Sequence, residues 1–91
     1  RVSSLYQKNV RERLAELLLL LKESHGIQDG DRIKLNIKLT REEMASIIGT
    51  ASETLIRFMS ELKSEGFIEQ EGKTIFITDE EGLVDFANIA Y

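Results

Sequence analysis

Two side chains four residues apart, Glu53 and Arg57, have the chemistry needed to recognise the edges of DNA base pairs. An arginine can donate two hydrogen bonds to the acceptor pair of a guanine, and a glutamate can accept one from the amino group of cytosine. The same spacing also suits an ordinary surface ion pair between positions i and i+4 of a helix, worth about 0.2–0.5 kcal/mol. Either interpretation requires a helix that exposes both residues.

The residues before this pair predict a short helix that ends in a sharp turn. Thr40 and Glu43 have the spacing of a capping box, in which each side chain bonds to the backbone amide of the other residue. Gly49 supplies the left-handed backbone conformation that such a turn requires. The apolar residues between them are expected to form the buried side of the helix: Met44, Ala45, Ile47 and Ile48.

A second helix is predicted directly after the turn, starting at Thr50, with Glu53 again at capping-box spacing. Its buried face is expected to contain Ala51, Leu55, Phe58, Met59 and Leu62. Its outward face is expected to contain Ser52, Glu53, Ile56, Arg57 and Ser60. Ile56 suits contact with a thymine methyl group, although single exposed apolar residues are common. Two helices joined in this way form a helix-turn-helix.

The segment after Gly66 predicts a β-hairpin, with strands over residues 67–70 and 73–77 joined by Glu71 and Gly72. The amide of Gly72 and the ammonium group of Lys73 suit a phosphate, whereas the carboxylate of Glu71 repels one. A hairpin at this position is a wing beside the helix-turn-helix. The alternative interpretation is a plain solvated hairpin tip.

The remaining segments complete a single predicted domain over residues 1–91. A helix is expected over residues 6–24, a strand region over 32–39, the helix-turn-helix over 41–64, the wing over 67–77 and a closing helix over 79–90. Thr78 and Glu81 have capping-box spacing at the start of that last helix. The predicted fold class is therefore mainly α with a small antiparallel β-sheet, a winged helix-turn-helix.

Two features of these segments leave alternatives open. Leu19 and Leu20 fall outside the predicted buried stripe of the first helix, so they either contact a partner or another domain or are ordinary surface leucines. In the strand region, Arg32, Lys34 and Lys38 alternate with apolar residues. This basic side suits either a phosphate or the protection of a sheet edge.

Four sequence segments together resemble the C-terminal DNA-binding domain of the Crp/Fnr (cyclic-AMP receptor and fumarate-nitrate regulator) superfamily of bacterial transcription factors. They are LTREEMASIIG (39–49), ETLIR (53–57), LKSEGFIE (62–69) and EGKTIFI (71–77). The likeness covers nearly all of the 91 residues. It implies that the glutamate and arginine of the E-T-x-x-R motif, here Glu53 and Arg57, read the G·C pairs of a TGA-like half-site.

The resemblance also implies roles for residues around this motif. Ser52 and Ile56 occupy neighbouring base-facing positions, but Ser52 stands where the cyclic-AMP receptor has another base-reading arginine, and Ile56 where relatives often carry a small or hydroxyl residue. The outer bases of the half-site are therefore not specified by the resemblance. The implied phosphate contacts are Thr40, Arg41, Thr54, Gly72 and Lys73.

Partners and cofactors follow from the same resemblance. It implies double-stranded DNA as the ligand and a homodimer on a two-fold symmetric operator, with a sensor barrel and a dimerisation helix before residue 1. The start at Arg1, without methionine, is consistent with an excised domain. No cofactor is expected in this domain, whereas a cyclic nucleotide or other effector would bind the absent sensor. RNA polymerase contact through residues 28–31, a cytoplasmic location and no membrane association are further expectations.

Composition narrows the functional classes. The chain has no cysteine and one histidine, and it lacks a glycine-rich phosphate loop and metal-ligand spacing, so neither an enzyme nor a metal site is expected. The net charge of −4 opposes DNA binding, which draws affinity from phosphate neutralisation. We therefore expect a narrow positive surface formed by Lys38, Arg41, Arg57 and Lys73. The alternative class is an acidic winged-helix module that binds proteins and not DNA.

Overall fold

The computed structural model describes residues 9–87, which form four helices and one four-stranded antiparallel sheet. In chain order the elements are α1 (Val10–His25), β1 (Gly26–Asp29), β2 (Arg32–Leu35), α2 (Arg41–Ile48), α3 (Ser52–Ser64), β3 (Ile68–Glu71), β4 (Thr74–Ile77) and α4 (Glu80–Ala87). The strand order is β1-β2-β4-β3. The predicted fold class, mainly α with a small antiparallel sheet, is confirmed.

Helix α1 begins at Val10, and the predicted start at Tyr6 lies outside the described residues. Asn9 determines this start because its side chain accepts a hydrogen bond from the Glu12 amide at 3.0 Å, while the Glu12 carboxylate accepts one from the Asn9 amide at 2.9 Å. The prediction that Leu19 faces away from the core is wrong, since it packs against the core cluster. Leu20 is 65% exposed, and its partner remains a prediction.

The predicted strand over residues 32–39 is too long, and the strand before it was missed. β1 pairs with β2 across a two-residue turn at Gly30 and Asp31, with Gly26 opposite Leu35. The chain before Gly26 is helical, so β1 offers no strand partner to the residues after Leu35. One hydrogen bond, from the Asn36 amide to the His25 carbonyl, extends the pairing by one residue. β1 was missed because all four of its residues are exposed and give no apolar alternation.

The wing hairpin forms from β3 and β4, but its turn lies one residue later than predicted. Glu71 pairs with Thr74, so Gly72 and Lys73 form the two-residue loop. The φ angle of Gly72 is 61°, which suits a hairpin turn with glycine at its first central position. Lys73 therefore lies at the tip and not at the start of the second strand.

The core lies between the four helices and one face of the sheet. Its largest fully buried apolar side chains are Leu14, Leu18, Met44, Leu55, Met59, Leu62, Ile68, Ile77 and Leu83. Two predicted core residues lie outside it, because Ile47 is 59% exposed and Ala51 precedes α3 as an exposed cap residue.

The start of α4 also differs from prediction. The Asp79 side chain accepts the hydrogen bond from the Gly82 amide at 3.0 Å, while the Thr78 hydroxyl donates to the Gly66 carbonyl at 2.7 Å. Thr78 therefore ties the start of α4 to the turn between α3 and β3 instead of capping the helix. The helix ends at Ala87 in the described part of the chain, and the predicted packing residue Ala90 lies outside that part.

Candidate nucleic-acid interface

Helix α2 begins with the predicted capping box. The Thr40 hydroxyl accepts from the Glu43 amide at 3.0 Å, and the Glu43 carboxylate accepts from the Thr40 amide at 2.8 Å. Gly49 ends the helix with φ 80°, the left-handed conformation expected at the turn. The local geometry of the helix-turn-helix therefore follows from these three residues.

The predicted capping box at the start of α3 is wrong. The amides of Gly49 and Thr50 both donate to the Ala45 carbonyl, at 2.8 and 2.9 Å, so Thr50 still belongs to the turn. Ala51 is the N-cap residue and provides no side-chain hydrogen bond. Helix α3 thus starts at Ser52, and the Glu53 carboxylate is left in its first turn, where the helix dipole favours a negative charge.

The outer face of α3 exposes the predicted base-reading pair. Glu53, Ile56 and Arg57 are exposed, with Ile56 at 49%, whereas Ser52 and Thr54 are half-buried. Within residues 9–87 no ion pair joins Glu53 to Arg57. The Arg57 guanidinium carbon lies 5.1 Å from the ring centroid of Phe58, and its donors remain available at the surface.

The start of α2 and the wing form opposite walls of a groove of about 510 Å³. Its lining comprises Ile37, Lys38, Leu39, Thr40, Arg41, Gln70, Lys73 and Thr74. It therefore gathers three cations, Lys38, Arg41 and Lys73, beside the free amides at the start of a helix. Cations and helix N-terminal amides both favour a phosphate.

Arg41 is the most enclosed of these cations. Its Nη1 lies 4.0 Å from the Met44 sulfur, and partial burial lowers the pKa of Arg41 without discharging it at neutral pH. Lys38 and Lys73, which also line the groove, are exposed. The groove thus combines one partly buried and two exposed positive groups.

Side chains that the sequence did not point to hold the wing in place. The Lys63 ammonium at the end of α3 donates to Gln70 Oε1 at 3.1 Å, and Gln70 Nε2 donates to the Gly72 carbonyl at 2.8 Å. This chain of bonds runs from the second helix of the helix-turn-helix to the wing tip. Gln70 and Lys63 are seven residues apart, so no local spacing rule indicates their contact.

Arg32 forms a second network against the wing. Its Nη1 donates to Glu69 Oε1 at 2.8 Å and to Glu71 Oε2 at 2.9 Å, and its Nε donates to Asp29 Oδ2 at 3.2 Å. These bonds, with that to Glu71 the strongest influence, raise the pKa of Arg32 above its usual value. Because β2 lies between β1 and β4, Arg32 is on an inner strand and protects no sheet edge, and its ion pairs are with carboxylates of the neighbouring strands.

Other kinds of site find no support in the described part of the chain. Residues 9–87 contain no cluster of three or more His, Cys, Asp or Glu side chains placed to hold a metal ion. None of the helices in that range is both long and apolar enough to cross a bilayer.

A glycine-turn helix pair with a polar outer face, followed by a β-hairpin and a cationic groove, defines a winged helix-turn-helix domain of the DNA-binding class. The sequence pattern of the family described as "Crp-like helix-turn-helix domain" matches residues 12–86. The chain accordingly belongs to the Crp/Fnr family, as a DNA-binding domain of a transcription regulator, and is not an enzyme.

Individual relatives agree with this assignment. A CRP-like cAMP-activated global transcriptional regulator of Mycobacterium tuberculosis is 35% identical over 75 residues, covering 82% of this chain and 34% of that protein. The transcriptional activator FnrL of Cereibacter sphaeroides is 39% identical over 91 residues, covering 89% and 35%. The structure of the CO-dependent transcription factor CooA from Carboxydothermus hydrogenoformans is 30% identical in sequence and superposes with a TM-score of 0.81. The match covers 94% of this chain and 40% of the CooA chain. The chain thus spans about a third of the curated relatives.

Proposed function

We propose that this domain reads a TGA-like half-site by placing α3 in the major groove. Glu53 and Arg57 recognise the G·C pairs, with Ser52 and Ile56 facing the neighbouring bases. The observation that carries this proposal is the exposure of Glu53 and Arg57 on one face of α3 with no ion pair between them. Their hydrogen-bonding groups therefore lie at the surface, where base edges could meet them.

The phosphate contacts in this proposal are Thr40, Arg41, Thr54, Gly72 and Lys73. Four of these residues lie at the start of α2 or at the wing tip, and Thr40, Arg41 and Lys73 line the same groove. Thr54 lies separately in the first turn of α3, where its half-buried side chain is near the helix start. Contacts on both sides of the reading helix would fix its register on the duplex without specifying sequence.

The full-length protein is proposed to act as a homodimer on a two-fold operator. The names of the relatives, one cAMP-activated and one CO-dependent, support an effector that binds outside this domain. A cytoplasmic location, where such a regulator meets DNA, belongs to the same proposal. The exposed β1–β2 turn, residues 28–31, is the proposed contact with RNA polymerase.

The test is an NMR titration of the isotope-labelled 91-residue chain with a short duplex that contains a TGA half-site, at low salt. We expect amide shifts at residues 40–41, 50–60 and 72–73. A duplex of the same composition in scrambled order is the control, and shifts of α3 residues should be larger with the cognate duplex. An unchanged spectrum at the highest soluble concentration would contradict the proposal and favour a protein-interaction module.

A further inference from the structure

Arg32 lies where the two hairpins meet and bonds to three carboxylates through its Nε and Nη1 groups. Its guanidinium donates to Asp29 on β1 and to Glu69 and Glu71 on β3, three carboxylates from two strands that do not pair with each other. The side chain is 23% exposed. Because an arginine presents its donors in a rigid fork, it can hold several carboxylates at once in a fixed geometry.

The ring of Phe76 on β4 fixes the plane of this guanidinium. The Arg32 guanidinium carbon lies 3.6 Å from the ring centroid, within the range of a cation–π contact. Phe76 is only 5% exposed, yet among the described residues it does not belong to the core cluster. We attribute part of its burial to the cover that Arg32 provides on the outer face of the sheet.

Two of the carboxylates held by Arg32, Glu69 and Glu71, belong to the wing strand that also carries the groove residue Gln70, although they do not line the groove themselves. Glu71 directly precedes the wing-tip residues Gly72 and Lys73 and pairs with Thr74, which lines the groove. Glu69 lies two residues earlier on the same strand and on the same side of it. Without a compensating cation, both negative charges would oppose a phosphate approaching Lys73.

We propose that Arg32 is a positioning residue for DNA binding, which compensates Glu69 and Glu71 and so allows an acidic wing to lie against the phosphate backbone. This inference rests on the proposed function. In this proposal Arg32 acts through the carboxylates that it holds and not by contacting a phosphate itself. Its role is local charge balance at the wing.

The experiment measures the dissociation constant of the 91-residue chain for the cognate duplex by fluorescence anisotropy at several salt concentrations. Arg32→Gln is expected to weaken binding about threefold to tenfold at low salt, equally on cognate and scrambled DNA, with a smaller effect at high salt. Adding Glu69→Gln and Glu71→Gln to that variant should restore the affinity. Arg11→Gln is the matched single control, because Arg11 also pairs with a carboxylate and contacts a ring but does so on Glu61 and Phe86.

A second control separates local charge from net charge. Arg32→Gln combined with Glu81→Gln and Asp85→Asn has the same net charge as the wing triple variant, but its neutralised carboxylates lie on α4. Rescue by Glu69→Gln and Glu71→Gln (the wing pair), but not by Glu81→Gln and Asp85→Asn (the α4 pair), supports the proposal. Equal rescue by both pairs, rescue by neither, or an unchanged affinity of Arg32→Gln overturns it.

Three further experimental outcomes bear on the proposal. If Arg32→Gln does not fold, the two carboxylate pairs are compared in the wild-type background, where the wing pair should tighten binding more than the α4 pair, and equal effects overturn the proposal. If the wild-type chain shows no amide shifts with either duplex, the proposed function and this inference both fail. If it binds and only the Arg32 predictions fail, the proposed function stands alone.

Discussion

Arg57→Ala offers the sharpest test of base reading. Among the described residues Arg57 pairs with no carboxylate, and its guanidinium carbon lies 5.1 Å from the ring centroid of its neighbour Phe58. Truncation therefore breaks no ion pair inside the protein, and its effect on binding reports the contact with DNA. A bidentate contact with guanine contributes about 1–3 kcal/mol of discrimination, which corresponds to a loss of about fivefold to 150-fold on the cognate duplex.

The assay is anisotropy with three duplexes: the TGA-like half-site, the same site with its guanine replaced by adenine, and a scrambled sequence. Arg57→Ala should bind the first two with nearly equal affinity, whereas the wild-type chain should prefer the guanine site. Lys73→Ala is the control, because loss of a phosphate contact should weaken all three duplexes alike and make the salt dependence shallower by about one unit. Equal losses for Arg57→Ala on cognate and scrambled DNA would remove Arg57 from base reading.

Four stability predictions concern the elements that present this face. Thr40→Ala should lower the free energy of unfolding by about 1 kcal/mol in urea titrations, because it removes the cap of α2. Gly49→Ala should cost about 1–2 kcal/mol from backbone conformation alone, since the added Cβ meets no atom within 4 Å. Met59→Ala should cost about 2–5 kcal/mol, because the side chain is 1% exposed in the core. Hydrogen bonds to Glu80 and, less strongly, to Glu23 raise the pKa of Lys22 above its ordinary value of 10.5. The ion pairs of Lys22 should therefore make the wild type more stable than Lys22→Met below pH 10.5, and this difference should disappear as the pH rises further.

The parts of the site that depend on neighbouring residues were predictable from sequence. The capping box of Thr40 and the left-handed turn at Gly49 are set by residues within one turn of a helix, so their spacing was sufficient. The same four-residue pattern at Thr50 failed because the Ala45 carbonyl holds the Thr50 amide in the preceding turn. A capping pattern thus predicts a helix start only when the first residue is not already bound to the helix before it.

Features that depend on the order of strands were not predictable. Alternation along β3 places Glu69 and Glu71 on one side, but nothing in the sequence places Arg32 beside them until β2 is known to pair with β4. Buried and exposed positions in α2 were also misassigned at Ile47, because an eight-residue helix offers too few turns to define its inward arc. The roles of individual DNA-contacting residues also stay predictions, because they depend on the position of a DNA partner outside the chain.

The acidic net charge and the proposed sequence reading are compatible, because net charge affects the affinity for any DNA, whereas base contacts affect the discrimination between sequences. Phosphate neutralisation supplies most of the affinity for any DNA, and the groove offers only Lys38, Arg41 and Lys73 for it. Three such contacts correspond to a slope of about −2.7 in the logarithm of affinity against the logarithm of salt concentration. When affinity for random DNA is low, the proposed base contacts of Glu53 and Arg57 make up a larger share of the binding free energy on the cognate site. A dimer on two half-sites would then recover affinity by avidity without losing that discrimination.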